Sequence, residues 1–347
     1  MHGDIHQDGT ERVQQRVSSG SRRRFLQGAG AAAVAGVTGV LGWRALDGSD
    51  DGGAPSGSGS GADSFSSSPP RSAMADVREY GAVGDGQADD TGAFEAALRA
   101  SPYVYVPPGT YALGRTLEIP ATTRMVGGGK YNTLLLHAHD GDFARLLERT
   151  SLSDLSVEGR GGDFDGRGLV MSGSDGQQSL QSVAVVGFDG YCIDFETPDA
   201  GSQFRAAQVD VARTGAETGT ERYAIHVSED QQLASVPRSF IQLETQGLCA
   251  IDFGGCNDTY VVASTLGDLR FTPESRGVNI SSSRLLNQEN LTIDGHGITI
   301  VGCDIAPQLT LAPGADHIVV APNAFNRLPV IDRSGNDRHQ LPPSYSP

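Results

Sequence analysis

DVREYGAVGDGQADDTGAFEAALRA, Asp76 to Ala100, followed by VYVPPGTY, Val104 to Tyr111, is the densest pattern in the chain. Val77 to Tyr80 reads as an apolar-polar strand running into a Gly/Asp turn. Asp89 or Asp90 is placed to accept the first free backbone N–H groups of a short helix. Ala93, Phe94, Ala97 and Leu98 then recur at helical spacing and give that helix one apolar side. Pro107, Pro108 and Gly109 close the next strand with a fixed turn. A strand and helix of this kind predict a lid over the open end of a larger β structure.

DVREYGAVGDG, DDT and the PPGTY strand, in that order, resemble the entry segment of the pectate-lyase-like superfamily. That superfamily includes polygalacturonases, rhamnogalacturonase-type enzymes and phage tailspikes. The resemblance implies an all-β fold: a single-stranded right-handed parallel β-helix with an N-terminal strand-helix cap. It assigns the segment to the cap and leaves the chemistry to the coils downstream.

Short alternating strands continue through the rest of the domain with little helical pattern. Such a series also suits a sandwich or a propeller. Pieces that repeat in kind at roughly 20–30 residues favour a solenoid. LSDLSVEG (Leu152 to Gly159) and LQSVAVVG (Leu180 to Gly187) share one form, and YCIDF, YAIHV and CAIDF share another. The polar inserts Ala212–Arg222 and Ser228–Arg238 fit loops between rungs.

Ahead of this domain, Ser21-Arg22-Arg23-Arg24-Phe25-Leu26-Gln27 has the form of a twin-arginine export motif. The small apolar run Gly28–Trp43 behind it suits a signal h-region. Residues 1–46 are therefore expected to be a signal and 47–75 a flexible Gly/Ser/Asp linker, with the β-helix domain over 76–340. The expected location is extracellular or on the cell surface, with no stable membrane span unless the signal is retained as an anchor.

The chain has 347 residues, with 46 Gly, 17 Pro and 6% aromatics, a turn-rich composition. Its net charge of −16 comes from 42 acidic against 26 basic residues, and Lys130 is the single lysine. This balance points to a salt-adapted host and excludes nucleic acid and anionic membranes as natural partners. A polysaccharide is the expected partner; oligomeric state is left open. Cys192, Cys249, Cys256 and Cys303 lack C-x-x-C spacing, so zinc on cysteine is not expected, and buried thiols and a disulfide both remain open.

Stacked coils place corresponding residues about 4.8 Å apart, with side chains alternately in and out. In one column Ile193, Ile225, Ile251 and Leu269 point inward, so Asp194, His226, Asp252 and Arg270 form an outward Asp-His-Asp-Arg ladder. Carboxylates on alternate rungs are then about 9–10 Å apart, near the spacing of an inverting glycosidase. A solvated acidic face is the alternative. In a second column Val157, Val185, Val209 and Leu243 point inward, with Glu158, Val186, Asp210 and Glu244 outward. Asp210 and Glu244, with Arg213 beside them, could remove a proton next to a uronate carboxylate or hold Ca²⁺. Asp194, His226, Asp252, Asp210 and Glu244 are thus the catalytic candidates, and Arg213 and Arg270 the substrate-binding ones.

Gly295-His296-Gly297 is similar to the GHG motif of polygalacturonase-type hydrolases, with Asn257-Asp258-Thr259 a loose echo of NTD, but no paired aspartates lie between them. Gly161–Gly168 contains a D-x-D-G loop that could take Ca²⁺ but lacks the downstream Glu. Two functions follow: a polysaccharide lyase or glycoside hydrolase, or a non-catalytic glycan-binding or tailspike-like module.

Overall fold

Each coil turns at residues in the left-handed backbone conformation, and these corners set the register. Thr122, Arg149, Gln177, Gln203, Asp258, Gly277, Gly297 and His317 all have φ between 50° and 70°. Five residues after most of them stands a second such corner: Asp154, Ser182, Gln208, Ala263, Ser282 and Gly302. Four residues of extended chain fit between the two, which makes one short strand per coil. The corner amides bond to the next coil: Gln208 N donates to Ile241 O at 3.0 Å and Ala263 N to Ser281 O at 3.2 Å.

The computed structural model describes residues 70–160, 163–172, 176–196, 203–212, 223–227, 238–246, 251–286, 290–320, 324–325 and 329–342. All strand pairings among them are parallel. A first face stacks Tyr103–Val106, Arg124–Gly127, Phe204–Ala207, Arg238–Ile241, Thr259–Val262, Asn279–Ser281 and Thr299–Val301. A second stacks Gly109–Leu113, Thr133–His137, Asp210–Ala212, Glu244–Gln246, Thr265–Leu266 and Arg284–Leu285. Ser151–Glu158 and Ser179–Val186 are long enough to bend through both faces at Asp154 and Ser182. The third face runs Leu117–Ile119, Ala144–Leu146, Leu169–Met171, Ile193–Phe195, Ile225–Val227, Ile251–Asp252 and Leu269–Arg270. The fold is a parallel β-helix.

The core is a set of inward columns. Val157, Val185 and Val211 are in register and fully buried, continued by Leu266, Leu285 and Ile305. Burying such a side chain stabilises the fold by about 1.5–3 kcal/mol. Cys192, Cys256 and Cys303 are buried in this interior, and burial pushes the Cys256 thiol up to about 11. Cys249 lies outside the described residues.

At the N-terminal end the helix Thr91–Ala100 buries Phe94, Ala97 and Leu98, and Phe94 meets Tyr111 edge-on at 5.5 Å. The side chain that caps the helix is that of Asp89, not Asp90: its Oδ1 takes Thr91 N at 3.0 Å. Asp90 instead accepts Val83 N at 2.6 Å and Gly84 N at 3.2 Å, tying down the preceding loop. Val77–Tyr80 is a 3₁₀ turn and not a strand. Asp76 caps it through Arg78 N, and Gly81 at φ 104° closes it, so the strand is only Ala75–Asp76.

Candidate active site

Three residues per coil on the third face put two inward and one outward. Register follows the expected column: Ile193 pairs with Ile225 and Asp194 with His226, then Ile225 with Ile251 and Asp252 with Arg270. The outer surface expected for the two aspartates is not what forms. Asp194 and Asp252 are each 3% exposed. Arginines close over both. Arg270 Nη1 donates to Asp252 Oδ2 at 2.7 Å, while Asp252 Oδ1 accepts Gly254 N at 2.8 Å.

Around Asp194 the cover is larger. Arg167 grips Asp142 with two bonds, Nε to Oδ1 at 2.8 Å and Nη2 to Oδ2 at 2.7 Å, and its Nη1 reaches Asp194 Oδ2 at 2.5 Å. Arg145 joins Asp142 and Glu196, both at 2.8 Å. Burial is the largest single influence on Asp142 and Glu196 and pushes both upward. The guanidinium contacts of Arg167 and Arg145 together outweigh it and hold both carboxyls below their ordinary values. Arg167 is held charged, first by its bond to Asp142.

On its other oxygen, Asp194 Oδ1 lies 2.7 Å from His226 Nδ1. We assign the proton to Nδ1, since a carboxylate only accepts, which leaves Nε2 as the basic nitrogen of the ring. Tyr191 stacks on that imidazole with centroids 4.3 Å apart and planes 8° from parallel. The His226 side chain is 22% exposed. Buried Asp, half-buried His and stacked Tyr form an oriented acid/base set.

In the second column, Asp210 and Glu244 pair across adjacent coils as expected. The residues above them differ. Asp210 aligns with Ala184 and Ser156, whereas Val186 aligns with Glu158 and Ala212. The corner at Gln208 is the reason: it brings Val211, not Val209, under Val185, and Val209 stands over Leu243 in a separate inward column. Lys130 and Tyr131 were not anticipated here. They reach over from the loop after Arg124–Gly127, with Lys130 Nζ at 2.6 Å and Tyr131 Oη at 2.7 Å from Asp210 Oδ2. Tyr131 is pushed up to about 12, first by loss of water and next by its bond to Asp210. Asp210 thereby anchors a loop, and a Ca²⁺ ion at this pair would have to displace the ammonium of Lys130. Arg213, most of the 212–222 and 228–238 inserts, and Gly161–Gly162 lie outside the described residues.

Between the third and first faces runs a groove of about 540 Å³, lined by Arg124, Arg149 and Arg205 with Tyr103, Gln177 and Gln203. Among the described residues no carboxylate lines it, in a chain of net charge −16. Arg149 follows Arg145 by four residues in the same coil, so the groove borders the third face.

The family model for rhamnogalacturonase A/epimerase, pectate lyase-like proteins matches residues 74–309. The chain belongs to this family. Among curated relatives, the pre-neck appendage protein of Bacillus phage B103 is 34% identical over 108 residues, 28% of this chain and 13% of the relative. Mannuronan C5-epimerase AlgE2 of Azotobacter vinelandii is 30% identical over 148 residues, 34% of this chain and 15% of the relative. The chain thus spans 13% to 15% of the length of these two family relatives. Among solved structures, gene product 12 of bacteriophage phi29 aligns over 72% of this chain and 45% of its own, with TM-score 0.49 and 13% identity. The AlgE6 A-module from Azotobacter vinelandii aligns over 77% of this chain and 97% of its own, with TM-score 0.37 and 14% identity. Among the described residues no helix is long and apolar enough to cross a membrane.

Proposed function

We propose that this protein modifies an acidic polysaccharide outside the cell by moving the proton next to a uronate carboxylate, as a lyase or epimerase does. The observation that carries this reading is the Asp194–His226–Tyr191 set: an imidazole oriented by a buried carboxylate at 2.7 Å and stacked on a phenol at 4.3 Å. His226 Nε2 takes the C5 proton, Asp194 stabilises the imidazolium that forms, and Tyr191 is the neighbouring proton donor. A glycosidase needs a carboxyl free to protonate the leaving oxygen, and Asp194 and Asp252 are both committed to ion pairs. The arginine groove supplies the attraction that the third-face network, with three carboxylates against two guanidiniums, does not. The epimerase relatives point to the same chemistry.

The test incubates the full chain with defined polyuronates in D₂O, with and without high salt. Deuterium at C5 reports proton removal, and ultraviolet absorbance of unsaturated ends reports elimination. His226→Gln is expected to lower either signal by roughly 10²–10⁴-fold. Release of saturated reducing ends, or exchange unchanged in His226→Gln, would overturn the assignment.

The phage appendage relatives favour a second reading, a glycan-holding module without turnover. It expects Arg149→Ala to weaken polyuronate binding while no substrate acquires deuterium. Export is proposed to follow the twin-arginine route; replacing Arg22 and Arg23 by Lys should leave the protein inside the cell, as fractionation would show.

A further inference from the structure

The corner that carries the GHG motif has no part in the site above, yet it gathers two imidazoles and a carboxylate. We propose that His296, Asp316 and His317 bind a divalent transition-metal ion of the zinc class, clamping two successive narrow coils together.

The backbone sets the three side chains in place. His296 and Asp316 form a parallel bridge one coil apart, and His317 follows directly in the left-handed conformation at φ 53°. Gly295 sits at φ 103°, where an added Cβ would stand 2.4 Å from Ser275 O, so this corner takes only glycine. Hydrogen bonds lock both sides: His296 N to Ser275 O at 2.8 Å, Asp316 N to Gly295 O at 2.9 Å and Gly297 N to Asp316 O at 3.0 Å.

Both imidazoles converge on one oxygen. His296 Nδ1 is 3.3 Å and His317 Nδ1 3.0 Å from Asp316 Oδ2. The ligand atoms all lie within 4.8 Å of one another. Zinc holds nitrogen and carboxylate oxygen at about 2.0–2.2 Å, so neighbouring ligands at a tetrahedral angle stand about 3.3 Å apart. The two observed separations are close to that edge, and a small shift of exposed rings completes it. Arg338 Nε stands 2.9 Å from Asp316 Oδ1 as an ion pair, while both imidazoles converge on Oδ2, which is the ligand atom. Side-chain exposures of 48%, 53% and 19% for His296, His317 and Asp316 leave a fourth position open to water.

Two imidazoles and one carboxylate suit Zn²⁺, Ni²⁺ or Cu²⁺; Ca²⁺ and Mg²⁺ prefer oxygen throughout. Arg338 adds positive charge beside the ion, which weakens the site relative to one without it.

The experiment titrates metal-free full chain with Zn²⁺ by calorimetry and with Co²⁺ by visible absorption. One ion per chain at this site, a tetrahedral Co²⁺ spectrum and a rise in Tm with zinc are expected. His296→Gln and His317→Asn should each weaken binding at least tenfold, while His226→Gln leaves it unchanged. Asn keeps the left-handed corner at 317, so that variant should keep its far-ultraviolet circular dichroism even if His296→Gln does not fold. Zinc affinity and stoichiometry unchanged in His317→Asn, or a Co²⁺ spectrum of octahedral hexa-aquo type at saturation, would overturn the proposal.

Discussion

The wide and narrow coils of this β-helix share one inner lattice and carry different outer loads. Thr122, Arg149, Gln177 and Gln203 follow one another at 26 to 28 residues, whereas Asp258, Gly277, Gly297 and His317 follow at 19 or 20. In both regions the corner is left-handed and most inward residues are aliphatic or aromatic. The difference lies outside. Wide coils bear Arg145, Arg167, Asp142, Asp194 and Glu196 as a half-buried ion network, whereas narrow coils bear smaller groups, from the exposed Arg284–Asp304 pair to the His296–Asp316–His317 corner. A solenoid can therefore keep its core while coil length sets how much cover its outer side chains receive.

The sharpest way to break this comparison is to remove one guanidinium from each region. Arg167→Ala takes the guanidinium from Asp194, whose side chain is 4% exposed, leaving it only His226, and leaves Asp142 with Arg145 alone. The expected loss is about 3 kcal/mol, read as a lower denaturation midpoint, because a buried carboxylate is left without its counter-charge. Arg284→Ala removes a contact of 3.5 Å between side chains 61% and 59% exposed. That change should cost less than about 1 kcal/mol. Equal losses in the two variants would show that the third-face network is no more than surface charge.

A weaker effect separates the wide coils along the pH axis. His137 is 1% exposed, among His139, Phe143 and Phe188, and burial is the main cause that lowers it to about 4. The unfolded chain takes up a proton near its ordinary value of 6.5, while the folded chain does so only near 4. Stability should thus be flat above about pH 6.5 and fall steadily as pH drops towards about 4. Asp142 and Glu196, held below 3.8 and 4.5, add stability that is present above those values and lost as pH falls through their lowered ones. His137→Phe should flatten the first phase and leave the second, which unfolding midpoints measured across pH 3 to 8 would show.

How much of this could be read from the chain follows from range. Ile193, Ile225 and Ile251 reveal their register because branched aliphatics alternate with polar residues within each strand, so Asp194 and His226 come out as neighbours. Arg167 is 27 residues from Asp194 and Arg145 is 51 from Glu196, and their contacts exist only after coils of unequal length have stacked. Lys130 and Tyr131 escape for the same reason, reaching Asp210 from 79 or 80 residues away. Val209 was misplaced because no side chain announces that Gln208 turns left-handed; Gly302 at the matching corner does announce it. At Val77–Tyr80 the alternation was real, but Asp76 and Gly81 cap a turn around it.

The smallest effect tests whether the corners are one device in both regions. Ala263 holds φ 52° with no side-chain bond to stabilise it, in the series with Ser282 and Gly302. A left-handed non-glycine residue costs about 1–2 kcal/mol, and glycine gives back up to about 1 kcal/mol through unfolded-state entropy. Ala263→Gly should therefore raise stability by about 0.5–1 kcal/mol, visible as a modest rise in denaturation midpoint. Gln208 in the wide region has the same conformation at φ 57°, but its Oε1 accepts Gln181 Nε2 at 3.1 Å across the coils. Gln208→Gly loses that bond, so its gain should be smaller or vanish. If Gln208→Gly gained as much as Ala263→Gly, the Gln181–Gln208 bond would contribute nothing, and backbone strain alone would govern corners in wide and narrow coils alike.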